Sequence, residues 1–309
     1  MIRYGMTRNW VSGLKVVTGA GDLLSLNNGL VKNNTGYDLR HLFIGSEGTL
    51  GFIVEASMKL TERPLDETVV VLAIPKMSDC LSVLKIFRES LVINAFEFFS
   101  DNALEKVLSG MDIERPIKAS SPYYVLLEFE QKNADTLGVA ESAFSKCLSR
   151  GLAIDGIIAS SVAQNLKLWQ CRERITEAIT PRTPYKNDIA VRPGKVPGFL
   201  SAVDETITKY FPEFEIVWFG HIGDGNLHLN ILRPKDWQVA DFKVACDELN
   251  HHILDIVRKF GGSVSAEHGI GLLKKNFLPY SRSESEIKLM KSLKGVFDPD
   301  GIMNPGKLL

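Results

Sequence analysis

The stretch that decides the fold of this chain reads HIGDGNLHLN and covers residues 221–230. Two glycines inside it let the backbone turn sharply between two histidines, because glycine adopts conformations that are costly for other residues. After the turn, residues 227–230 alternate with the period of a strand, so His228 and Asn230 share one face while two leucines pack behind. The stretch therefore predicts a strand with one chemical face and one structural face.

Further along, the chain reads Ala266-Glu267-His268-Gly269, which adds a carboxylate and a third histidine. Two imidazoles and one carboxylate suit zinc or a similar first-row ion, and three protein ligands leave one position open for substrate. A histidine pair of this spacing, found alone, is more often two hydrogen-bonded side chains in a turn. Only six histidines are present, however, and three of them lie in these two short segments. We therefore expect a divalent-metal site with a spare histidine beside it.

Length and composition indicate a soluble globular protein with a substantial core. The chain has 309 residues, 45% of them hydrophobic, which is enough for one large or two ordinary domains. The net charge is −1 and the basic residues are not concentrated in one tract, which excludes nucleic acid as the partner. No apolar run approaches a membrane span, and the first residues lack the apolar core of a signal peptide. We expect a location in the bacterial cytoplasm or the mitochondrial matrix.

The four cysteines, Cys80, Cys147, Cys171 and Cys246, are widely separated along the chain. They form no paired spacing, so they predict neither a disulfide framework nor a cysteine zinc site. We expect buried, reduced thiols.

The first sixty residues are rich in strands and glycine turns. Residues 14–26 predict a hairpin of two strands joined by a glycine-containing turn. Residues 43–54 place a glycine at every third position before an apolar strand. Such glycines permit positive φ and let a flat or anionic ligand approach the backbone. A plain glycine turn between two strands explains the same spacing, and both interpretations stay open at this point.

The sequence Arg63-Pro64-Leu65-Asp66 predicts a domain boundary, beyond which strands and amphipathic helices alternate in an α+β pattern. Strand-helix-strand groups on both sides of residue 155 hint at two related halves, without a sequence repeat strong enough to prove it. The predicted strands cover 68–74, 93–99, 123–130, 215–219 and 227–232, and the predicted helices cover 78–90, 102–109, 134–149, 162–179, 196–210, 241–260 and 284–296.

Several short motifs extend the argument from fold to family. They are Arg3-Tyr4-Gly5, Asn34-Thr35-Gly36-Tyr37-Asp38-Leu39, Gly45-Ser46-Glu47-Gly48-Thr49-Leu50-Gly51, Arg172-Glu173-Arg174, the two histidine segments and the terminal run from Asp298 to Lys307. With these motifs the chain resembles, from end to end, the flavin-linked D-2-hydroxyacid dehydrogenases of the vanillyl-alcohol-oxidase type. Within that family it is most similar to the members that oxidise D-2-hydroxyglutarate, and next to those that oxidise D-lactate.

The resemblance implies an α+β fold in two domains. Residues 1–62 would be the later part of an FAD-binding domain of the PCMH type. Residues 63–309 would be a ferredoxin-like, FAD-linked oxidase C-terminal domain with an antiparallel sheet, which holds substrate and metal, and its tail, 297–309, would return to the flavin. Members of the family begin with a further subdomain whose glycine-rich loop cradles the flavin pyrophosphate, and this chain starts after it. We therefore expect these residues alone to retain flavin weakly.

The resemblance also implies roles for individual residues. His221, His228 and Glu267 would be the metal ligands, zinc being the first choice, and His268 would be the general base. Substrate would be bound by Arg172, Thr176, Lys186 and Asn230. The flavin would be contacted by Tyr37, Gly45, Glu47, Gly48, Thr49, Gly51, Ile53 and Asn304.

The spacing of Arg172 and Thr176 supports a shared role. The two residues are four apart on one face of the predicted helix, so both can reach one anion. Arginine also offers a carboxylate a bidentate fork. The alternative for Arg172 is a surface ion pair with a neighbouring glutamate, and the alternative for Lys186 is an ordinary solvated lysine.

These roles predict flavin- and metal-dependent oxidation of a D-2-hydroxy acid to the 2-oxo acid. Two cationic groups favour the dicarboxylate D-2-hydroxyglutarate over D-lactate. Hydride would pass to N5 of FAD and electrons to a carrier protein or quinone, since no dinucleotide fingerprint is visible. Two other classes stay open: a metal-dependent hydrolase, which leaves the glycine run unexplained, and a non-catalytic remnant that binds metal and hydroxy acid without flavin. The sequence does not specify the metal, the electron acceptor or the oligomeric state, for which a homodimer is one candidate.

Overall fold

The computed structural model of the chain describes residues 2–64 and 66–309, so Leu65 of the predicted boundary lies outside the described residues. The described residues fall into two compact units. The seven-stranded unit comprises Pro64–Ala266 together with Ile2 and Arg3. The three-stranded unit comprises Tyr4–Arg63 and Glu267–Leu309.

The strands are, in chain order, β1 (Val11–Thr18), β2 (Leu23–Leu26), β3 (Gly51–Met58), β4 (Glu67–Ile74), β5 (Ile93–Ser100), β6 (Tyr123–Glu130), β7 (Asp155–Ile158), β8 (Tyr185–Ala190), β9 (Glu215–His221) and β10 (Asn226–Leu232). The α-helices are α1 (Arg40–Phe43), α2 (Cys80–Arg88), α3 (Asp101–Gly110), α4 (Thr136–Ser149), α5 (Val162–Glu173), α6 (Ile175–Ile179), α7 (Val196–Tyr210), α8 (Val239–Phe260) and α9 (Glu284–Phe297).

The seven-stranded unit is built on one antiparallel sheet with the order β7-β4-β6-β5-β9-β10-β8. Strands β4 to β7 with α2 and α4 form a ferredoxin-like half, into which α3 is inserted between β5 and β6. Strands β8 to β10 with α7 and α8 repeat this order, and a bridge between Ala190 and Ser263 takes the place of the fourth strand. The expected α+β class and antiparallel sheet are confirmed, and the topology shows the two related halves.

The two halves join edge to edge through β5 and β9. The pairing is short, with Phe98 opposite Gly220 and Phe99 opposite Phe219. Directly opposed residues of antiparallel strands project to the same face. The last residues of β5 and of β9 therefore share a face on which side chains from both halves meet.

The inner strands β4, β5 and β6 are largely buried. In β4, every residue from Val69 to Ile74 is buried, so the strand is a continuous apolar run with no polar alternation. The core on one face combines side chains of β4, β5, β6 and β9 with those of α3, α5 and α6. Each large aliphatic or aromatic side chain buried there contributes about 1.5–3 kcal/mol.

The three-stranded unit contains a sheet with the order β2-β1-β3. Its hairpin pairs Val17 with Leu23 and Leu14 with Leu26, which confirms the hairpin predicted over residues 14–26. The small core of the unit holds buried side chains from β1 and the turn before β3, and the ring of Phe43 meets Phe297 of α9 edge to face at 5.1 Å. Helix α9 is thereby fixed to the N-terminal strands by aromatic packing.

The helix predicted over residues 162–179 is wrong in one respect, because the structure breaks it at Arg174. Helix α5 ends at Glu173, Arg174 adopts ψ of −3°, and α6 begins at Ile175. The buried positions Leu168, Cys171, Ile175 and Ile179 keep helical spacing across the break. Periodicity alone therefore could not reveal it.

Two strands were absent from the sequence prediction. Strand β7 is a four-residue strand at one edge of the sheet, and β8 carries the polar run Lys186-Asn187-Asp188. Such a run lacks the apolar alternation by which strands are recognised. Its strand conformation comes from pairing with β10 along its whole length.

The division into units differs from the predicted domains at the C-terminal end. The N-terminal segment ends at Arg63, next to the expected boundary after residue 62, but the returning segment begins at Glu267 rather than at residue 297. Helix α9 and the residues before it pack with the N-terminal strands, and only the tertiary packing of Phe297 and its neighbours decides this.

The four cysteines are all buried and free, as predicted. Burial raises the pKa of the Cys80 thiol to about 12, which makes it inert as a nucleophile at neutral pH. Within residues 2–64 and 66–309, none of the helices combines the length and the apolar character that crossing a bilayer requires.

Asp204 is a carboxyl group of α7 that the core of the seven-stranded unit partly encloses. Its Oδ1 accepts a hydrogen bond from Nε1 of Trp218 on β9 at 2.7 Å. Burial raises the pKa of Asp204 to about 6, since the bond from Trp218 only partly offsets the loss of solvent. The folded state therefore binds a proton more tightly than the unfolded chain.

We predict that Asp204→Asn removes a pH-dependent loss of stability. With the folded pKa above the unfolded value near 4, the contribution of Asp204 is fully present below about pH 4 and is lost as the pH rises through about 6. Relative to the variant, the wild-type free energy of unfolding should fall by about 2 kcal/mol between pH 4 and pH 7. Urea unfolding of both proteins at several pH values measures this difference in the free energy of unfolding. Glu213→Gln, which changes an exposed carboxylate elsewhere in the same unit, is the control, and parallel curves for wild type and Asp204→Asn would contradict the prediction.

Candidate functional site

The predicted turn between the two histidines is a tight hairpin in the seven-stranded unit. His221 ends β9, and the backbone N–H groups of Asp224 and Gly225 both donate to its carbonyl oxygen at 3.1 Å. Strand β10 begins at Asn226, directly opposite His221, and the two imidazole rings lie 5.4 Å apart between centroids. The hairpin therefore brings His221 and His228 together, as the sequence predicted.

Gly225 is the position at which the turn needs glycine. Its φ is +83°, and a Cβ placed there would lie 1.9 Å from the carbonyl oxygen of Val191. The N–H of Val191 in turn donates to the carbonyl of Gly225 at 3.0 Å, so the turn is bonded to the end of β8. Neither the angle nor the space admits a side chain.

Strand β10 alternates as expected after the turn. Leu227 and Leu229 are fully buried, whereas His228 and Asn230 fall on the other face. The amide nitrogen of Asn230 donates to the carbonyl oxygen of His228 at 3.3 Å. Asn230 is thus a buried polar group held by the main chain, and its register partner on β8 is the exposed Lys186.

A buried carboxylate lies behind His221. Oε1 of Glu97, on β5, is 2.7 Å from Nδ1 of His221, and the residue is only 6% exposed. Burial by itself would raise the pKa of Glu97, but the hydrogen bond with His221 and the positive charge of Arg172 outweigh burial and lower it. Glu97 is therefore an anion in the interior of the sheet.

Arg172, the first predicted substrate-binding residue, is the partner of that anion. Its Nη2 lies 2.9 Å from Oε2 of Glu97, and its guanidinium sits 4.6 Å from the ring centroid of Phe219. The arginine is buried, so the alternative of a surface ion pair with a neighbouring glutamate is wrong. The nearby pair on the surface joins Arg174 to Glu177 instead.

Thr176 lies on α6 and Arg172 on α5, because the predicted single helix breaks at Arg174. The side chain of Thr176 is exposed, and its carbonyl oxygen accepts the hydroxyl of Thr180 at 2.7 Å. The two residues therefore lie on consecutive helices and not on one, and their shared role in binding one anion stays a prediction.

A second buried carboxylate accompanies His228. Asp188 of β8 lies opposite His228 in the register, and its Oδ1 is 3.6 Å from Nδ1 of the histidine. The same oxygen accepts a hydrogen bond from the side-chain amide of Asn226 at 2.7 Å. Each histidine of the pair therefore has a carboxylate on its Nδ1 side.

Glu267 and His268 lie in a bend that leads into Gly269, whose φ is +76°. Glu267 follows Ala266, and the N–H of Ala266 donates to the carbonyl oxygen of Asp188 at 3.3 Å. One ligand atom each from His221, His228 and Glu267 lies within 4.8 Å of the others, a separation that one metal ion can bridge. Both Glu267 and His268 are exposed.

The residues expected to contact flavin lie in the three-stranded unit. The carboxylate of Glu47 accepts the N–H groups of Ile270 and Gly271, both at 2.7 Å, and the carbonyl oxygen of Glu47 accepts the amide of Asn304. The hydroxyl of Thr49 donates to the carbonyl oxygen of Ser46 at 2.7 Å. These polar groups hold the glycine turn to the C-terminal segment of the same unit.

The glycines of this turn serve close packing. A Cβ on Gly48 would lie 2.7 Å from Nδ2 of Asn304, and one on Gly51 would lie 2.7 Å from the carbonyl oxygen of Val17. Gly45 and Gly48 also adopt positive φ. Of the two interpretations that the spacing left open, the tight turn accounts for Gly48 and Gly51.

Tyr37 and Ile53 differ from the other expected flavin contacts because both side chains are exposed. Tyr37 lies at a cleft that is also lined by Ser25, Asn33 and Asp38. Strand β3, which carries Ile53, leaves most of its side chains exposed. Both positions offer apolar surface to a planar ligand.

Glu97 and Asp188 are site residues that the sequence patterns did not predict. The signal for Glu97 was a single carboxylate inside the apolar strand Ile93–Ser100, because a charge in such a strand needs a partner when it is buried. Asp188 carried no comparable signal, since β8 itself was not predicted. Neither sequence position indicates which histidine the carboxylate meets.

Comparison with known families supports the resemblance. The family described as FAD linked oxidases, C-terminal domain, matches residues 63–308. The matched region begins where the seven-stranded unit begins and extends through α9.

Two of the curated relatives that match along the chain illustrate the similarity. The D-2-hydroxyglutarate dehydrogenase of Stutzerimonas stutzeri strain A1501 is 53% identical over 308 residues, which are 100% of this chain and 66% of the relative. A putative mitochondrial D-lactate dehydrogenase of Schizosaccharomyces pombe is 35% identical over 324 residues, 99% of this chain and 60% of the relative. The chain thus spans less than two thirds of the length of either relative.

Among solved structures, 4-ethylphenol oxidase from Gulosibacter chungangensis matches with a TM-score of 0.71 at 12% sequence identity. The match covers 99% of this chain and 67% of the oxidase. At this identity the likeness concerns the fold alone.

We predict that Gly225→Ala destabilises the seven-stranded unit through the histidine turn. A φ of +83° and the carbonyl of Val191 both oppose the new methyl group, so the free energy of unfolding should fall by about 1–3 kcal/mol. Gly223→Ala is the matched control, because its Cβ would meet mainly the mobile end of the Ile2 side chain. Thermal unfolding of the two variants measures the difference, and equal losses would count against the special role of Gly225.

Proposed function

This chain belongs to the FAD linked oxidases through their C-terminal domain, and from that premise we propose that it takes part in the oxidation of a D-2-hydroxy acid to the 2-oxo acid. The observation that carries the proposal is the histidine pair with Glu267, whose ligand atoms lie within 4.8 Å of one another. A site with three protein ligands has a coordination position left for a substrate oxygen.

The substrate class is supported by the names of the relatives and by the charge near the histidines. One relative is a D-2-hydroxyglutarate dehydrogenase and another a putative D-lactate dehydrogenase. The guanidinium of Arg172 has five N–H donors, so it can pair with Glu97 and still offer donors to a substrate carboxylate. Lys186 adds a second cation on β8, and a dicarboxylate such as D-2-hydroxyglutarate uses both cations, whereas D-lactate uses one. Thr176 and Asn230 complete the proposed substrate contacts.

The donor set fits a first-row divalent ion. Imidazole nitrogen together with carboxylate oxygen suits zinc, and the buried carboxylates Glu97 and Asp188 behind the histidines are the kind of partner that metal-bound imidazoles have. His221, His228 and Glu267 would hold the ion. When bound, it supplies Lewis-acid polarisation of the substrate 2-hydroxyl and lowers its pKa.

His268 is the proposed general base. It follows Glu267 in the bend, and its exposed ring can accept the proton of the substrate 2-hydroxyl at a ring nitrogen. Removal of that proton leaves the carbon–hydrogen bond to be broken with its electron pair, so the carbonyl of the 2-oxo acid forms. The proton and the hydride together account for the two electrons and two hydrogens lost by the substrate.

FAD is the proposed cofactor. Tyr37 and Ile53 offer exposed side chains, and the turn that contains Gly45, Glu47, Gly48, Thr49 and Gly51 is held in one conformation through Asn304. When bound, FAD supplies the acceptor for the hydride. An electron carrier or a quinone would reoxidise it. The relatives come from a bacterium and from a mitochondrion, and either setting suits this proposal.

We predict that the purified chain binds about one divalent ion and that His228→Ala abolishes binding. Loss of one of the three residues that would hold the ion leaves two protein ligands, which are too few for a tight zinc site. Elemental analysis after gentle purification without chelator, followed by zinc titration in a calorimeter, measures this. His251→Ala, an exposed histidine of α8, is the matched control and should bind as the wild type does. A wild type that binds no zinc would remove the metal from the proposal.

We predict that His268→Ala keeps the metal but loses turnover. A positioned base contributes about 10²–10⁴-fold to rate, so oxidation of D-2-hydroxyglutarate by flavin-loaded protein should fall by that factor. The assay follows reduction of an artificial electron acceptor, with D-lactate as the second substrate. If His268→Ala lost the metal and His221→Ala retained it, His268 would be a metal ligand and His221 the general base. Faster wild-type turnover of D-lactate than of D-2-hydroxyglutarate would favour the monocarboxylate as substrate.

A further inference from the structure

Glu97 is a buried charge that takes no direct part in the proposed transfer of a proton and a hydride. It lies on β5, in a strand whose other residues from Phe96 to Ser100 are buried as well. Taking an isolated carboxylate out of water is costly, and natural proteins bury one only with partners that stabilise the charge. The partners of Glu97 should therefore indicate what the carboxylate does.

The two oxygens of Glu97 face two different residues. Oε1 is 2.7 Å from Nδ1 of His221, and Oε2 is 2.9 Å from Nη2 of Arg172. His221 is a proposed metal ligand and Arg172 a proposed substrate contact. One side chain thus connects the two parts of the site, and it does so from a strand of the other half of the sheet.

The bond to Nδ1 decides which nitrogen of His221 is left for a ligand. In a neutral imidazole one nitrogen carries the hydrogen and the other holds a lone pair. A carboxylate can only accept, so it selects the form with hydrogen on Nδ1, and the lone pair then lies on Nε2. The short distance and the burial of Glu97 keep solvent from competing for this bond.

The contact with Arg172 fixes a cation in the same way. The guanidinium is buried, rests on the face of Phe219 and pairs with Glu97. Without an anion at this point, a buried guanidinium has to move or to find another partner. Glu97 therefore restrains the direction of Arg172 as well as that of His221.

We propose that Glu97 is a positioning residue that holds His221 in the Nδ1–H form and, through its second oxygen, holds Arg172 beside it. This inference rests on the proposed function only in that His221 is taken as a metal ligand. A residue that hydrogen-bonds to the ring N–H of a metal-bound histidine commonly contributes about 10–100-fold to metal affinity. Glu97 touches neither the reacting atoms nor, by this proposal, the metal.

Glu97→Gln tests the proposal with little change in volume. The amide keeps one oxygen, so one of the two donors, His221 or Arg172, loses its acceptor and faces an NH₂ group instead. We expect zinc to bind about 10–100-fold more weakly than to the wild type in calorimetric titration. The matched control is Glu130→Gln, which removes an equally buried carboxylate of β6 that pairs with Arg3 at 3.0 Å. Its zinc affinity should equal that of the wild type.

The tautomer of His221 is a second measurement, which needs neither the Glu97→Gln variant nor a metal. In ¹⁵N-labelled wild-type protein without zinc, long-range nitrogen–proton spectra should show the neutral ring of His221 with its hydrogen on Nδ1. His221→Ala identifies the signal. A hydrogen on Nε2 in the neutral ring would overturn the proposal, even if Glu97→Gln failed to fold.

The outcomes separate this inference from the proposed function. Equal zinc affinity of wild type and Glu97→Gln, or an equal loss in Glu130→Gln, overturns the positioning role and leaves the metal site intact. A wild type that binds no zinc removes the metal from the proposed function, and the tautomer then decides whether Glu97 positions His221. An Nδ1–H ring with weakened zinc binding only in Glu97→Gln supports both.

Discussion

The pairing of β5 with β9 is the constraint on which the candidate site depends. It joins two ferredoxin-like halves through only two opposed residue pairs, Phe98 with Gly220 and Phe99 with Phe219. That register carries Glu97 of one half to the histidine at the end of β9 in the other. Since the side-chain period of a strand is two, a shift of one residue would turn Glu97 to the opposite face and separate it from His221.

Buried charge around the histidines constrains the site as well. An ion pair inside a protein contributes little net stability, because desolvation of both groups offsets their attraction, and it is destabilising when one partner is lost. Glu97 and Arg172 are both buried, and Glu97 also bonds to His221. These three charged or polar side chains therefore add little to the free energy of unfolding. Their mutual contacts instead fix the orientations of Glu97, Arg172 and His221.

The three-stranded unit uses polar groups for a different purpose. Nζ of Lys294 donates to the carbonyl oxygens of Thr49 and Met303 at 2.9 Å and pairs with Asp298 at 2.6 Å. Asp298 in turn accepts the N–H of Ile302 at 3.0 Å. The hydrogen bond with Lys294 is the main reason that the pKa of Asp298 is lowered. These contacts connect the glycine turn, α9 and the C-terminal tail. The terminal motif, residues 298–307, therefore stabilises the three-stranded unit.

The sequence by itself determined the local elements and the candidates. Alternation and glycine predicted the hairpin that joins His221 and His228, because a tight turn and a strand period depend on neighbours along the chain. The sequence could not determine the break at Arg174, since apolar spacing continues across it. Nor could it place Glu97 against His221, 124 residues away, or make a strand of the polar run around Asp188. Those features come from the register of paired strands and from burial, which only the tertiary structure decides, because both depend on residues that are distant in sequence.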